Sequence, residues 1–128
     1  MVRAGKLVLG NLEARRDWGA AVDSVRAMQL ILAHPDPDDF VIGTGKMRSV
    51  GDLCEIAYGS LGLDWRSHVT SDPRLLRPAE TGPKVADAGK ATARLGWRAE
   101  TTIESVLVEM TQRDLSRLGP LAHRQAGR

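Results

Sequence analysis

An α+β fold is what this 128-residue sequence predicts, rich in helix with a few short strands. Two patterns carry that expectation. Apolar residues recur at helical spacing in several stretches, most of them opened by a capping residue or closed by a glycine. Short apolar runs bounded by turn residues punctuate those stretches, and one of them opens the chain. The length allows one domain with a modest core. Apolar residues at 42% and charged residues at 27% are the ordinary composition of a soluble protein.

Lys6 to Leu9 reads as a strand, closed by a Gly10-Asn11 turn. Asp17 is placed to cap a helix over Trp18 to Ala33. On that helix Val22, Val25, Met28 and Leu32, with Ala21 and Ile31, form the expected apolar face. His34-Pro35-Asp36-Pro37-Asp38 breaks the helix, and Phe40 to Gly43 reads as a buried strand ending in a Thr44-Gly45 turn. Ser49-x-x-Asp52 is a capping box for a helix that turns Val50, Leu53, Ile56, Ala57 and Leu61 inward, with Gly62 closing it in the left-handed conformation. His68 to Thr70 suggests a third strand. Asp72 to Lys84 holds Pro73, Pro78 and Pro83 and is expected to be irregular. Asp87 is placed to cap a short helix closed by Gly96. Thr101-x-x-Glu104 opens a helix of about four turns carrying Ile103, Val106, Leu107, Met110 and Leu115. From Gly119 the pattern ends, so residues 119–128 are expected to be a mobile tail behind a lobe of residues 1–118. A strand at the start of the chain needs a neighbour, so the lobe is expected to have leaned on something N-terminal.

Several classes of function are excluded by composition. The net charge is only +2 and no basic stripe is clustered outside the tail, which argues against nucleic-acid binding. No apolar run reaches the length of a bilayer span and none reads as a signal peptide, so a cytoplasmic setting is expected. Cys54 is a lone cysteine on an apolar helix face and reads as a buried structural thiol. His34, His68 and His123 are too scattered for a structural metal.

Two segments bear ligand-holding chemistry. Arg15-Arg16-Asp17-Trp18-Gly19 reads either as a solvated arginine pair with a helix cap or as an anion site at a helix N-terminus, with Asp17 capping the helix or orienting Arg16 through a salt link. Arg74, Arg77 and Glu80 read either as ordinary loop charges or as a stiff binding loop. In the second reading Arg77 clamps a phosphate and Glu80 accepts from sugar hydroxyls or a guanine edge. Arginine's planar fork of donors suits phosphate better than any other side chain. Trp97 and Trp65 read as packing residues. Asp87-Ala88-Gly89-Lys90 lacks the spacing of a phosphate loop. There is no Gly-rich dinucleotide fingerprint, no Tyr-x-x-x-Lys pair and no Ser/His/Asp set, so no residue is assigned a catalytic role.

Gly10-Asn11-Leu12-Glu13-Ala14-Arg15-Arg16-Asp17-Trp18-Gly19, then Ala21-Val22-Asp23 and Ala27-Met28, resemble the GNLxAxRDWGxAxDYVxAM run of GDP-mannose 4,6-dehydratases. Asp39 to Gly45 with Ser49-Val50, Asp72-Pro73-Arg74 with Arg77-Pro78-Ala79-Glu80, and Leu95-Gly96-Trp97 extend the match, in order, from about Lys6 to Leu115. Ser24 departs from the family's aromatic, Leu75-Leu76 from its Tyr-Phe pair, and Ala86 to Lys90 from its GDPxK run.

The resemblance implies the small, helix-rich substrate-binding lobe of an extended short-chain dehydrogenase/reductase, with the Rossmann domain mostly absent. It implies that Arg16 and Arg77 contact the diphosphate of GDP-mannose and Glu80 the nucleotide or its ribose. The full-length family uses NADP to oxidise C4 of the mannose. It then removes water across C5 and C6 and returns the hydride to C6, giving GDP-4-dehydro-6-deoxymannose, a precursor of GDP-fucose. The Tyr, Lys and cofactor fingerprint for those steps precede the matching region, which implies a truncated protein that binds GDP or GDP-mannose and is inactive alone, with no cofactor of its own. Family members are oligomers, so a second copy or a full-length dehydratase subunit is an implied partner. A non-enzymatic nucleotide-sugar-binding or assembly module is the alternative.

Overall fold

Strands β1 (Val2–Arg3) and β2 (Lys6–Leu9) form an antiparallel pair, with Val2 opposite Leu7 and Arg3 opposite Lys6. In this computed structural model, residues 2–3, 5–76 and 84–125 are described, with the side chains of 5–76 and 84–118. Arg77, Glu80, Pro78 and Pro83 therefore lie outside the described residues.

After β2 the chain makes β3 (Arg15–Asp17), helix α1 (Ala21–Ala33) and β4 (Met47–Ser49), then α2 (Val50–Gly59), a one-turn α3 (Trp65–His68) and β5 (Val69–Ser71). A 3-10 turn (Pro73–Leu75), α4 (Gly89–Leu95) and α5 (Ile103–Gln125) complete it. β5 lies parallel to β2, with Leu7, Val8 and Leu9 opposite Val69, Thr70 and Ser71. β3 and β4 form a separate antiparallel pair, with Arg16 opposite Arg48. The fold is α+β, as the composition of periods predicts, and the β2 and β5 strands sit where their apolar runs place them.

Local capping chemistry explains several of the helix ends. The Ser49 hydroxyl accepts from Asp52 N at 3.0 Å and the Asp52 carboxylate accepts from Ser49 N at 2.8 Å, so the expected capping box forms. Ser49→Ala is expected to lower stability by about 1 kcal/mol, read as a drop in thermal midpoint. Gly96 closes α4 at φ +64, where a side chain would be strained. The second box does not form: Thr102, not Thr101, caps α5 by accepting from Ser105 N at 3.2 Å, and the Glu104 carboxylate is paired with Arg48 at 2.7 Å. Helix α5 continues past Gly119 to Gln125, since a helix once nucleated propagates at little cost per residue.

The core is small. Ala27, Ala91 and Trp97 are buried together, with Leu30, Phe40, Ile42, Ala88, Leu95 and Ala99 packed around them. Small residues at 27 and 91 let α1 and α4 approach closely. Trp97 closes the end of α4, as expected, and its indole N–H donates to the Asp23 carbonyl at 2.9 Å. Asp23 is itself buried and accepts from Thr101 N at 2.8 Å and Glu100 N at 3.0 Å, with Arg26 3.3 Å away. Burial pushes its carboxyl up, but the Thr101 and Glu100 amides, with Arg26, outweigh that and hold it below the ordinary 3.8. A depressed folded value stabilises the fold above 3.8, and that stabilisation is lost as pH falls through the folded value. Urea midpoints measured on Asp23→Asn are therefore expected to fall less steeply with acid than those of the unaltered chain. Asp17, Asp38, Asp52 and Glu104 shift in the same direction and leave part of the slope in place.

Helix α1 departs from the expected orientation. Val22, Val25, Met28 and Leu32, expected to face inward, are 51–87% exposed, and the buried side carries Asp23 and Ala27. The stripe at helical spacing is real, but nothing among the described residues covers it. Phe40 to Gly43 likewise forms no strand, because no neighbouring strand offers it hydrogen bonds, and Val41 is 55% exposed.

Candidate functional site

Two turns that are far apart in sequence meet at one end of the β2–β5 pair. The first leaves β2 at Gly10. Asn11 folds it by accepting from Glu13 N at 2.9 Å, and Leu12 and Ala14 dock it on the start of α2 by accepting from Gly51 N and Val50 N at 2.9 and 3.1 Å. The second leaves β5 at Ser71. Asp72 N donates to the Leu9 carbonyl at 2.9 Å, and the Ser71 hydroxyl donates to the Gly10 carbonyl at 2.7 Å. Gly10 is required here for space: a Cβ would sit 2.8 Å from the Leu75 carbonyl oxygen.

Between the turns is a groove of about 350 Å³, lined by Leu9, Gly10, Asn11, Ala14, Arg16, Trp18, Val50 and Leu75. Arg16, on β3, also borders a cavity of about 440 Å³ that includes Lys84, Val85 and Ala86. Its Nη1 donates to the Arg15 carbonyl at 2.7 Å. Trp18 is held by its indole N–H, which donates to the Arg48 carbonyl at 3.1 Å. Arg74 is engaged by its own turn, donating to both Asp72 oxygens at 2.7–3.2 Å, which leaves it as a clamp of the turn. A smaller cavity of about 190 Å³ lies by the start of α5, and its Arg48 is paired with Glu104.

Asp17 takes neither of the roles expected from sequence. The N-cap of α1 is Ala20, with no side-chain cap bond, and the Asp17 carboxylate instead accepts from Thr44 N, Thr44 Oγ1, Gly45 N and Ala86 N. The partners are distant in sequence, so no local pattern could have identified them. Trp18 and Val50 appear in the family run but were not picked out as site residues; only the packing brings them to Arg16. Cys54 is buried and burial pushes its thiol up, as expected of a structural cysteine. Among the described residues no group of three His, Cys, Asp or Glu is placed to hold a metal, and no helix is long and apolar enough to cross a membrane.

Residues 2–110 match the family model for GDP-mannose 4,6 dehydratase. The chain belongs to that family. GDP-mannose 4,6-dehydratases similar to it include number 1 of Arabidopsis thaliana, 41% identical over 86% of this chain and 30% of that protein. Another, from Sinorhizobium fredii, is 37% identical over 88% of this chain and 37% of that protein. The chain thus spans about a third of the length of the dehydratases it matches. Two solved structures share the fold. RMD of Pseudomonas aeruginosa, complexed with NADPH, superposes with a TM-score of 0.77 at 21% identity over 90% of this chain and 37% of that one. DesIV of Streptomyces venezuelae, a dTDP-glucose 4,6-dehydratase solved with NAD bound, gives 0.75 at 27% identity over 90% and 35%. The sequence match to the dehydratase family and the fold shared with part of DesIV therefore agree.

Proposed function

We propose that this chain is the substrate-binding part of a GDP-mannose 4,6-dehydratase and holds the GDP portion of GDP-mannose, working in the cytoplasm. The observation that carries the reading is the meeting of the turns after β2 and β5 around one groove with Arg16 in its wall. Arg16 and Arg77 grip the diphosphate through their guanidinium forks, and Glu80 accepts from the nucleotide or ribose. NADP supplies hydride chemistry in the full-length family, but the described residues of this chain do not fit it. Its parallel strands β2 and β5 run out into Gly10-Asn11-Leu12 and Asp72-Pro73-Arg74, neither of which opens a dinucleotide-binding helix. No oxidation or dehydration step is assigned to the residues present. Calorimetric titration with GDP and GDP-mannose tests the reading. Binding of both without turnover in the presence of NADP supports it; no binding of GDP, or dehydration by this chain alone, overturns it.

A second reading rests on the uncovered α1 stripe. Contiguous exposed apolar faces mark interaction sites. In this reading the chain is an assembly module that docks Val22, Val25, Met28 and Leu32 on a dehydratase subunit. Co-purification with a full-length dehydratase, lost on Val25→Lys with Met28→Lys, favours it. A chain that stays monomeric in the presence of that subunit counts against it.

A further inference from the structure

We propose that Asp17 is a positioning residue of the nucleotide site, tying three separate stretches of chain into the wall behind Arg16. The inference rests on the GDP-binding reading above and adds to it a residue that touches no ligand. An ionised carboxylate offers about four acceptor positions. At Asp17 all are taken: Thr44 N at 3.0 Å, the Thr44 hydroxyl, Gly45 N at 2.9 Å and Ala86 N at 3.3 Å. The Thr44 hydroxyl in turn accepts from Lys46 N at 3.1 Å, so the whole turn is fixed in place. The approach is so close that residue 43 has to be glycine. A Cβ there would collide with Ala86 and lie 2.9 Å from the Asp17 carboxylate.

Asp17, Gly43 and Ala86 line the cavity of about 440 Å³ that Arg16 also borders. Asp17 follows Arg16 on β3 and so sets the strand that carries the guanidinium. Ala86, with Lys84 and Val85, faces the same cavity as Arg16. The carboxylate is therefore the knot that fixes Ala86 and the Thr44-Gly45 turn relative to Arg16. Burial pushes the Asp17 carboxyl up, but the Thr44, Gly45 and Ala86 donors outweigh it and hold it below its ordinary value. It stays ionised at neutral pH, as an acceptor of four bonds must.

The test is GDP titration of the full chain and of Asp17→Asn, with amide hydrogen exchange on both. Asp17→Asn is expected to weaken GDP binding about tenfold, the loss of roughly one charge-assisted bond's worth of positioning. Exchange is expected to quicken at Thr44, Gly45 and Ala86 while the amides of α4 keep their protection. Thr44→Val removes the hydroxyl, one donor to Asp17 and the acceptor of Lys46 N, and leaves the Thr44, Gly45 and Ala86 amides on the carboxylate, so it is expected to give a smaller loss in the same direction, about threefold. It also decides the matter if Asp17→Asn fails to fold. Thr44→Ser keeps every donor and is expected to bind as the unaltered chain does. GDP binding by Asp17→Asn, or by Thr44→Val in its place, that equals the unaltered chain's overturns the role of Asp17 alone. Loss of α4 protection together with binding overturns it too, since the carboxylate is then merely part of the scaffold. Failure of the unaltered chain to bind GDP overturns the GDP reading itself.

Discussion

Arg16→Ala is expected to weaken GDP binding by about 10- to 100-fold, the range for losing a charge-assisted bond to phosphate. The residue borders both the groove between the two turns and the neighbouring cavity beside Lys84 to Ala86, so its removal takes the guanidinium out of the wall they share. Arg16→Lys is expected to recover only part of the loss, because an ammonium keeps the charge and loses the planar fork. Arg77→Ala is expected to act in the same way. If the two arginines grip one diphosphate, the double variant loses less than the two single losses combined, and a double-mutant cycle measured by calorimetry reads that coupling. Unchanged binding in Arg16→Ala would leave the groove without its ligand.

Trp97→Ala is expected to destabilise the fold by about 3–5 kcal/mol, as large aromatic-to-alanine changes do in cores. Trp97 is 2% exposed, and no other side chain of its size among the described residues is so deeply buried. Its loss leaves a cavity between Ala27 and Ala91 and strips a donor from the Asp23 carbonyl. A domain of this kind has about 5–15 kcal/mol in total, so the variant is expected to lose most of its cooperative melting transition. Near-ultraviolet circular dichroism during heating measures it. A melting curve matching the unaltered chain would mean that the core lies elsewhere.

What could be read from the sequence is what is encoded within a few residues. Ser49 and Asp52 are three apart and form their box without help from the rest of the fold. Gly96 ends α4 by its own conformational freedom, and Lys6 to Leu9 declares itself by composition. The β3–β4 pair escaped because Arg15-Arg16-Asp17 has no strand-like composition; its pairing with Met47 to Ser49 is a tertiary fact. The α1 stripe shows the other limit. Periodicity finds an apolar face and does not say what lies across from it, so Val25 and Met28 were expected in a core that Ala27 occupies. At the site, arginine beside turn residues was enough to pick out Arg16. Asp17 stands next to it in the sequence, yet its partners at 44, 45 and 86 are found only by folding.

The parallel register of β2 with β5 has a consequence for the order of events during synthesis. Leu7 leaves the ribosome roughly 60 residues before Val69, its partner, which at about 5–20 residues per second is a wait of several seconds. Over that interval the two local helices α1 and α2 are complete while the central strand still lacks a neighbour on one side. Closing so long a loop is entropically slow compared with helix growth. The docking of β5 is therefore expected to come late in the folding of this chain, and a nascent chain released before Val69 is expected to hold the β1–β2 and β3–β4 pairs but not the parallel β2–β5 pairing.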